Sequence, residues 1–334
     1  MKQEIICVQK FLPIHNNELE QIHKLTDEEE RKRLAAAFYT KKLWSPNTTI
    51  TMKFLEDNPR ITITPLTNMD TKNGPVDTLQ MEFSKSDNLN IPQAIKTIVQ
   101  QRIIPLVSGT LNLKFVDKKA PADVRISFDS GGGSWSLVGT DCLEEKNEPT
   151  MNFGWFDVAT VIHEFGHMLG LIHEHQNPRG ETIQWDKEAV YKWANETQGW
   201  DKETTQKNII DKYNVENING SDFDPLSIML YFFPPSLTLN RVGTNQNLRL
   251  SGIDIQYIVG TYHKLNSQEE NQQESKQLFE QFYNQNIQDN IEKSQQLQHK
   301  LESGINWYII IIVGLVIILI IFFIIIIRQN KNKS

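Results

Sequence analysis

The chain has 334 residues, two cysteines and a formal net charge of −7. A hydrophobic share of 39% and a charged share of 22% fit a folded protein and exclude a wholly disordered one. The acidic balance argues against a nucleic-acid binder, which carries a basic face, so no nucleic-acid partner is expected.

Cys7 and Cys142 allow one disulfide at most and are expected to be unpaired thiols. The first residues, MKQEIICVQKFLPIHNNELE, hold an apolar patch too short and interrupted for the core of a signal peptide, so no export signal is expected there. Thr26-Asp27-Glu28-Glu29 has capping-box spacing and predicts a helix through EEERKRLAAAFYTKKL. Residues 1–42 then form an N-terminal helical segment with a solvated charged face.

Residues 43–265 read as the globular domain. The β-branched run at 48–55 predicts a strand, and apolar spacings of three and four across 91–107 predict a helix that ends at Pro105. Period-two alternation over 111–117 and 123–129 predicts two more strands joined by a turn at Pro121. After the Gly131-Gly132-Gly133 break, TMNFGW at 150–155 predicts a further short strand. A helix starts near Asp157 and runs through VATVIHEFGHMLG. The order strand, helix, strands, helix predicts a mixed sheet backed by helices.

Residues 266–306 are rich in Gln, Asn and charge, with Phe279, Tyr283, Ile287 and Ile291 recurring every four positions. The stretch serves as a polar stalk or as a helical partner surface. Residues 308–327, YIIIIVGLVIILIIFFIIII, run twenty positions without a charge. At about 1.5 Å per residue that crosses a hydrocarbon core of about 30 Å. Trp307 and Tyr308 flank one end, and Arg328, Lys331 and Lys333 the other. A C-terminal transmembrane helix (307–327) and a short basic tail (328–334) are therefore expected, with the lipid bilayer as partner. The missing export signal and scarce cysteine favour a cytosolic domain, whereas the basic tail favours the opposite face by the positive-inside rule. The expectation is the cytosolic side; the sequons at Asn47, Asn195 and Asn219 do not decide it.

The chemistry lies in HEFGHMLGLIHE, residues 163–174. His163 and His167 are four apart and project from one helix face, where two imidazoles can grip one Zn2+ at about 2.0–2.1 Å. Glu164 follows the first ligand and can reach a metal-bound water instead. Gly170 permits a left-handed helix end, and the turn swings His173 back as a third nitrogen. Three protein ligands with one open position describe a catalytic site, since a structural site is closed by four. His175 is expected to support the site from behind or to lie on the surface, and Glu174 to be an ion-pair or hydrogen-bond anchor.

HEFGHMLGLIHEH resembles the extended metzincin motif, and the Glu after the third His resembles its astacin branch. SerIleMetLeuTyr at 227–231 resembles that family's Met-turn, and GSWSLVGTD, TMNFGW and LSGIDIQYIVGTY also resemble astacin-like domains. The resemblance implies a zincin-like α+β fold: a twisted mixed sheet with two main helices, then a mostly irregular C-terminal subdomain after Gly170. It implies Met229 as an apolar floor beneath the zinc, Tyr231 as a stabiliser of the tetrahedral intermediate, and TMNFGW as the edge strand that pairs with extended substrate. Position 230 is Leu where the family usually has His, the family's disulfide cysteines are missing, and no pro-segment with a zinc-blocking Asp or Cys is recognisable.

Together these imply a membrane-anchored zinc metalloendopeptidase acting on protein or peptide substrates. Zn2+ would acidify its water to a pKa of about 7, and Glu164 would move the proton to the leaving amine. The alternative is a membrane-anchored zinc-binding protein that has the fold but no turnover.

Overall fold

The computed structural model describes residues 36–65, 76–86, 88–178, 183–213, 218–219 and 223–265. All fall in one compact unit, Met1–Tyr283; a second, Asn284–Ser334, lies outside the described residues.

Alternation of inward apolar and outward polar residues makes the strands. β1 (Ala36–Tyr39) precedes β2 (Thr49–Phe54), which buries Ile50, Met52 and Phe54 on one face, and β3 (Thr62–Ile63) follows. Helix α1 (Thr78–Phe83) starts at Asp77, whose carboxylate accepts from the Leu79 N–H, and α2 (Ile91–Ile98) starts at Asn90 in the same manner. α2 buries Ile91, Ala94, Ile95 and Ile98, the three-and-four spacing of one helix face.

That helix does not end at Pro105. A π-turn over Val99–Ile103 widens the coil ahead of the proline, and α3 (Ile104–Val107) continues beyond it. The wide turn relieves the clash between the ring and the preceding carbonyl that would otherwise stop the helix.

β4 (Asn112–Phe115), β5 (Val124–Ser127), β6 (Trp135–Ser136), β7 (Met151–Asn152) and β8 (Trp155–Phe156) follow. The main sheet has the order β4-β2-β5-β7-β6, parallel throughout except for β6, which runs antiparallel to β7. This is the expected mixed sheet, backed by α2, α3 and α4 (Val158–Met168). TMNFGW is two strands, not one. β7 sits inside the main sheet, while β8 pairs with β3. The Asn152 amide ties β7 inward by donating to Asp129 O and Gly133 O at 2.9 and 2.5 Å. The edge next to the zinc motif is therefore β6, because the hairpin after Gly133 folds outside β7.

Beyond Gly170 the chain is mostly irregular but carries α5 (Lys187–Gln198), α6 (Lys202–Thr205) with a π-turn at Gln206–Ile210, the short β9 (Ile218–Asn219), and α7 (Gly252–Leu265). A smaller core of Val190, Ala194, Ile209, Tyr231, Phe233 and Leu237 sits there.

The N-terminal helix does not extend through AAFY, because β1 pairs antiparallel with β9. Pairing with a remote strand overrides the local alanine preference. The rest of that predicted helix, Cys7, the stalk and the 308–327 span lie outside the described residues. Among the described residues no helix is long and apolar enough to cross a membrane. Cys142 is buried and unpaired among the described residues, and burial pushes its thiol up to about 12.

Candidate metal centre

Helix α4 begins at Asp157, whose carboxylate accepts from the Thr160 N–H at 2.7 Å. His163 and His167 lie one turn apart on it, ring centroids 4.7 Å apart. At its far end the Gly170 N–H donates to His167 O and the Leu171 N–H to Gly166 O, at 2.8 and 2.9 Å. Gly170 takes φ +100°, a left-handed conformation that costs glycine little. Two more carbonyls of that last turn are met by remote side chains. The Trp44 indole donates to Met168 O at 2.8 Å and the Tyr262 hydroxyl to Leu169 O at 2.6 Å. The turn so held returns His173 to the helix, its Nε2 3.0 Å from that of His167.

The tautomers follow from the partners. A carbonyl only accepts, so His163 Nδ1–H donates to Ile228 O and His167 Nδ1–H to Leu171 O, both at 2.8 Å. Each ring then presents an Nε2 lone pair. Burial holds His163 down to about 4, and His167 and His173 well below the usual imidazole range, with repulsion from neighbouring histidines adding to the last two. All three are thus neutral near pH 7, the form that binds metal. His163 Nε2 is buried without a hydrogen-bond partner among the described residues.

The three donor atoms lie within 4.8 Å of one another. Tetrahedral zinc with Zn–N of about 2.0–2.1 Å holds two nitrogens about 3.3–3.4 Å apart. Three neutral convergent imidazoles, one with an unpaired buried nitrogen, fit Zn2+. Among the described residues no other His, Cys, Asp or Glu joins the cluster.

Around this cluster stand the other predicted residues. Glu164 is fully buried beside His163. The Tyr231 ring lies 4.1 Å from that of His173 and 5.8 Å from that of His163, centroid to centroid. Met229 is buried against α4, and a Cβ at Gly166 would meet its sulfur at 2.8 Å, so Gly166 admits the Met-turn. Leu230 is buried too, and its N–H donates to Ser227 O at 3.1 Å. The turn thus closes on its own backbone with Leu at this position.

Glu174 is a hydrogen-bond anchor: its Oε1 accepts from the Asn177 amide and the Asp224 N–H, both at 3.0 Å, while its own N–H donates to Met229 O. Burial pushes its carboxyl up to about 7. His175 is not on the surface. It is buried, donates from Nε2 to Asn208 O at 3.1 Å, and packs its ring 5.0 Å from that of Tyr231. Burial pushes it down to about 3.

Sequence reasoning missed Trp44 and Tyr262. The only signal available was that a buried Trp or Tyr must find a partner for its N–H or O–H.

A profile of the Astacin peptidase family matches residues 78–265. Among solved structures, one of myroilysin is 29% identical with a TM-score of 0.50, covering 67% of this chain and 97% of its own. A crystal structure of myroilysin is 26% identical with a TM-score of 0.43, covering 78% and 93%. High choriolytic enzyme 1, a hatching-enzyme zinc protease from the medaka fish Oryzias latipes, is 14% identical with a TM-score of 0.36, covering 67% and 96%. No curated protein matches the chain.

Proposed function

The chain belongs to the astacin family of zinc metalloendopeptidases, and from that premise we propose that it hydrolyses peptide bonds with His163, His167 and His173 as zinc ligands and Glu164 as general base. The observation that carries this is the convergence of three buried neutral imidazoles beside the buried Glu164 carboxyl. Family membership sets aside the reading without turnover.

Zinc, when bound, acidifies a water and polarises the scissile carbonyl. The chain's residues do the rest. His163 and His167 keep Nε2 as the ligating atom by donating from Nδ1. Glu164 takes the attacking water's proton on its carboxylate and passes it to the leaving amine. Tyr231, packed against two of the ligand rings, donates its hydroxyl to the developing oxyanion. β6 is the edge along which an extended protein or peptide substrate pairs. Tyr231→Phe is expected to lower kcat more than it raises KM, because the hydroxyl acts in the transition state. Equal kcat in the two proteins would remove Tyr231 from this role.

The domain is tethered to a membrane through 308–327, with 266–306 as stalk. Two cysteines in 334 residues fit a reducing compartment and hence a cytosolic domain. The test is the full chain in sealed vesicles. It should pellet with them and cleave a quenched peptide pool supplied outside, o-phenanthroline should abolish the cleavage, and added protease should digest the domain. Asn47 and Asn195 are exposed reporters of the other outcome. A shielded domain that shrinks on deglycosylation would place it across the membrane, and a chain that stays in the supernatant would remove the anchor.

A further inference from the structure

The Met-turn presents to His163 a carbonyl that is itself the end of a hydrogen-bonded chain. His163 Nδ1–H donates to Ile228 O, the carbonyl of the Ile228–Met229 peptide, at 2.8 Å. The N–H of the same peptide donates to Ser227 Oγ at 3.0 Å, and the Ser227 hydroxyl donates to Asp254 Oδ1 at 2.7 Å. The other oxygen, Asp254 Oδ2, accepts from the Ile228 and Ser251 N–H groups at 2.8 and 2.9 Å. Ser227, Ile228, Met229 and Asp254 are all buried.

We infer that Asp254 is a positioning residue of the zinc site, acting through the Ser227 hydroxyl and the Ile228–Met229 peptide to orient His163 and raise the donor strength of its Nε2. This rests on the zinc-site reading above. A metal-bound histidine commonly donates its second nitrogen to a carboxylate or a carbonyl, which fixes the ring and makes it a stronger ligand. Here a carbonyl makes the direct contact, and a carboxylate stands two hydrogen bonds behind it. In a buried chain each bond polarises the next, so negative charge on Asp254 draws electron density onto Ile228 O.

Two features hold that charge in place. Asp254 lies in the first turn of α7, where the helix dipole favours an anion. It receives two N–H donors and one O–H donor. Burial opposes them and raises the carboxyl to about 6, below neutral pH, so the ionised form still predominates there. The network also reaches the other side of the site. The Asp254 N–H donates to Ser251 Oγ, that hydroxyl to Asp224 Oδ2, and the Asp224 N–H to Glu174 Oε1, next to His173.

The experiment compares the wild-type full chain in detergent with Asp254→Asn, Ser227→Ala and the double variant. It reads the zinc dissociation constant by chelator competition, the Co2+ absorption spectrum and the melting temperature. Each single variant should weaken zinc by about 10- to 100-fold and shift the Co2+ bands. The double variant should be no weaker than the worse single one, since both break one chain. Ser227→Ala leaves both N–H donors on Asp254, so it reads the relay even if Asp254→Asn fails to fold. A lower melting temperature with wild-type zinc affinity and an unchanged Co2+ spectrum would overturn the inference, leaving Asp254 as a staple between α7 and the Met-turn. Wild-type protein that binds no zinc would instead overturn the site reading, and this inference with it.

Discussion

Glu164→Gln is expected to retain stoichiometric zinc and wild-type stability while losing at least about 10²-fold in kcat/KM, the contribution of a positioned general base. The replacement is nearly isosteric, so the fully buried position on α4 stays filled. His163 and His167 are oriented by Ile228 O and Leu171 O, and His173 arrives through the Gly170 turn. What disappears is the carboxylate that accepts a proton, since an amide has no comparable basicity. Turnover on a quenched peptide, measured beside metal content and melting temperature, separates the possibilities. Turnover within a factor of about ten of wild type would remove Glu164 from the role. Loss of zinc together with turnover would show it to be part of the metal site.

His173→Ala should abolish tight zinc binding and, with it, all measurable cleavage. Zinc held by three nitrogens would be left with two on one helix, short of the three protein ligands a catalytic site uses. The effect should exceed that of a missing supporting partner, which costs about 10- to 100-fold in affinity. His175→Ala is the control. His175 is equally buried but stacks behind Tyr231 and donates to Asn208 O, so zinc should remain even where stability falls. Metal analysis after dialysis against a weak chelator gives the answer for both. Full zinc and full turnover in His173→Ala would defeat the three-ligand site.

Much of the centre was legible before any fold was known, because its spacing is set by helix geometry alone. Four residues from His163 to His167 place two rings on one face, and Gly170 is the residue that can end the helix left-handed. The strands at 49–54, 112–115 and 124–127 were equally legible from alternation and β-branching.

Other features were hidden for specific reasons. TMNFGW has the composition of a strand, but its place inside the sheet depends on which way the hairpin after Gly133 folds, and period-two alternation carries no information about neighbours. Pro105 looked like a helix end because a π-turn leaves no periodic signature. AAFY has alanines that favour helix, yet it is extended because a strand more than 170 residues away pairs with it.

The sequence by itself therefore determined the histidine motif, its helix, the carboxylate beside the first histidine, and the apolar span at 308–327, all of them patterns within a few turns of chain. Only the tertiary structure decided that Trp44 and Tyr262 hold the end of that helix, that His175 is buried behind Tyr231, and that Asp254 stands behind His163. These are hydrogen bonds and ring contacts between segments far apart in the chain. Their partners are chosen by how the sheet, the Met-turn and α7 pack together, which no local spacing records.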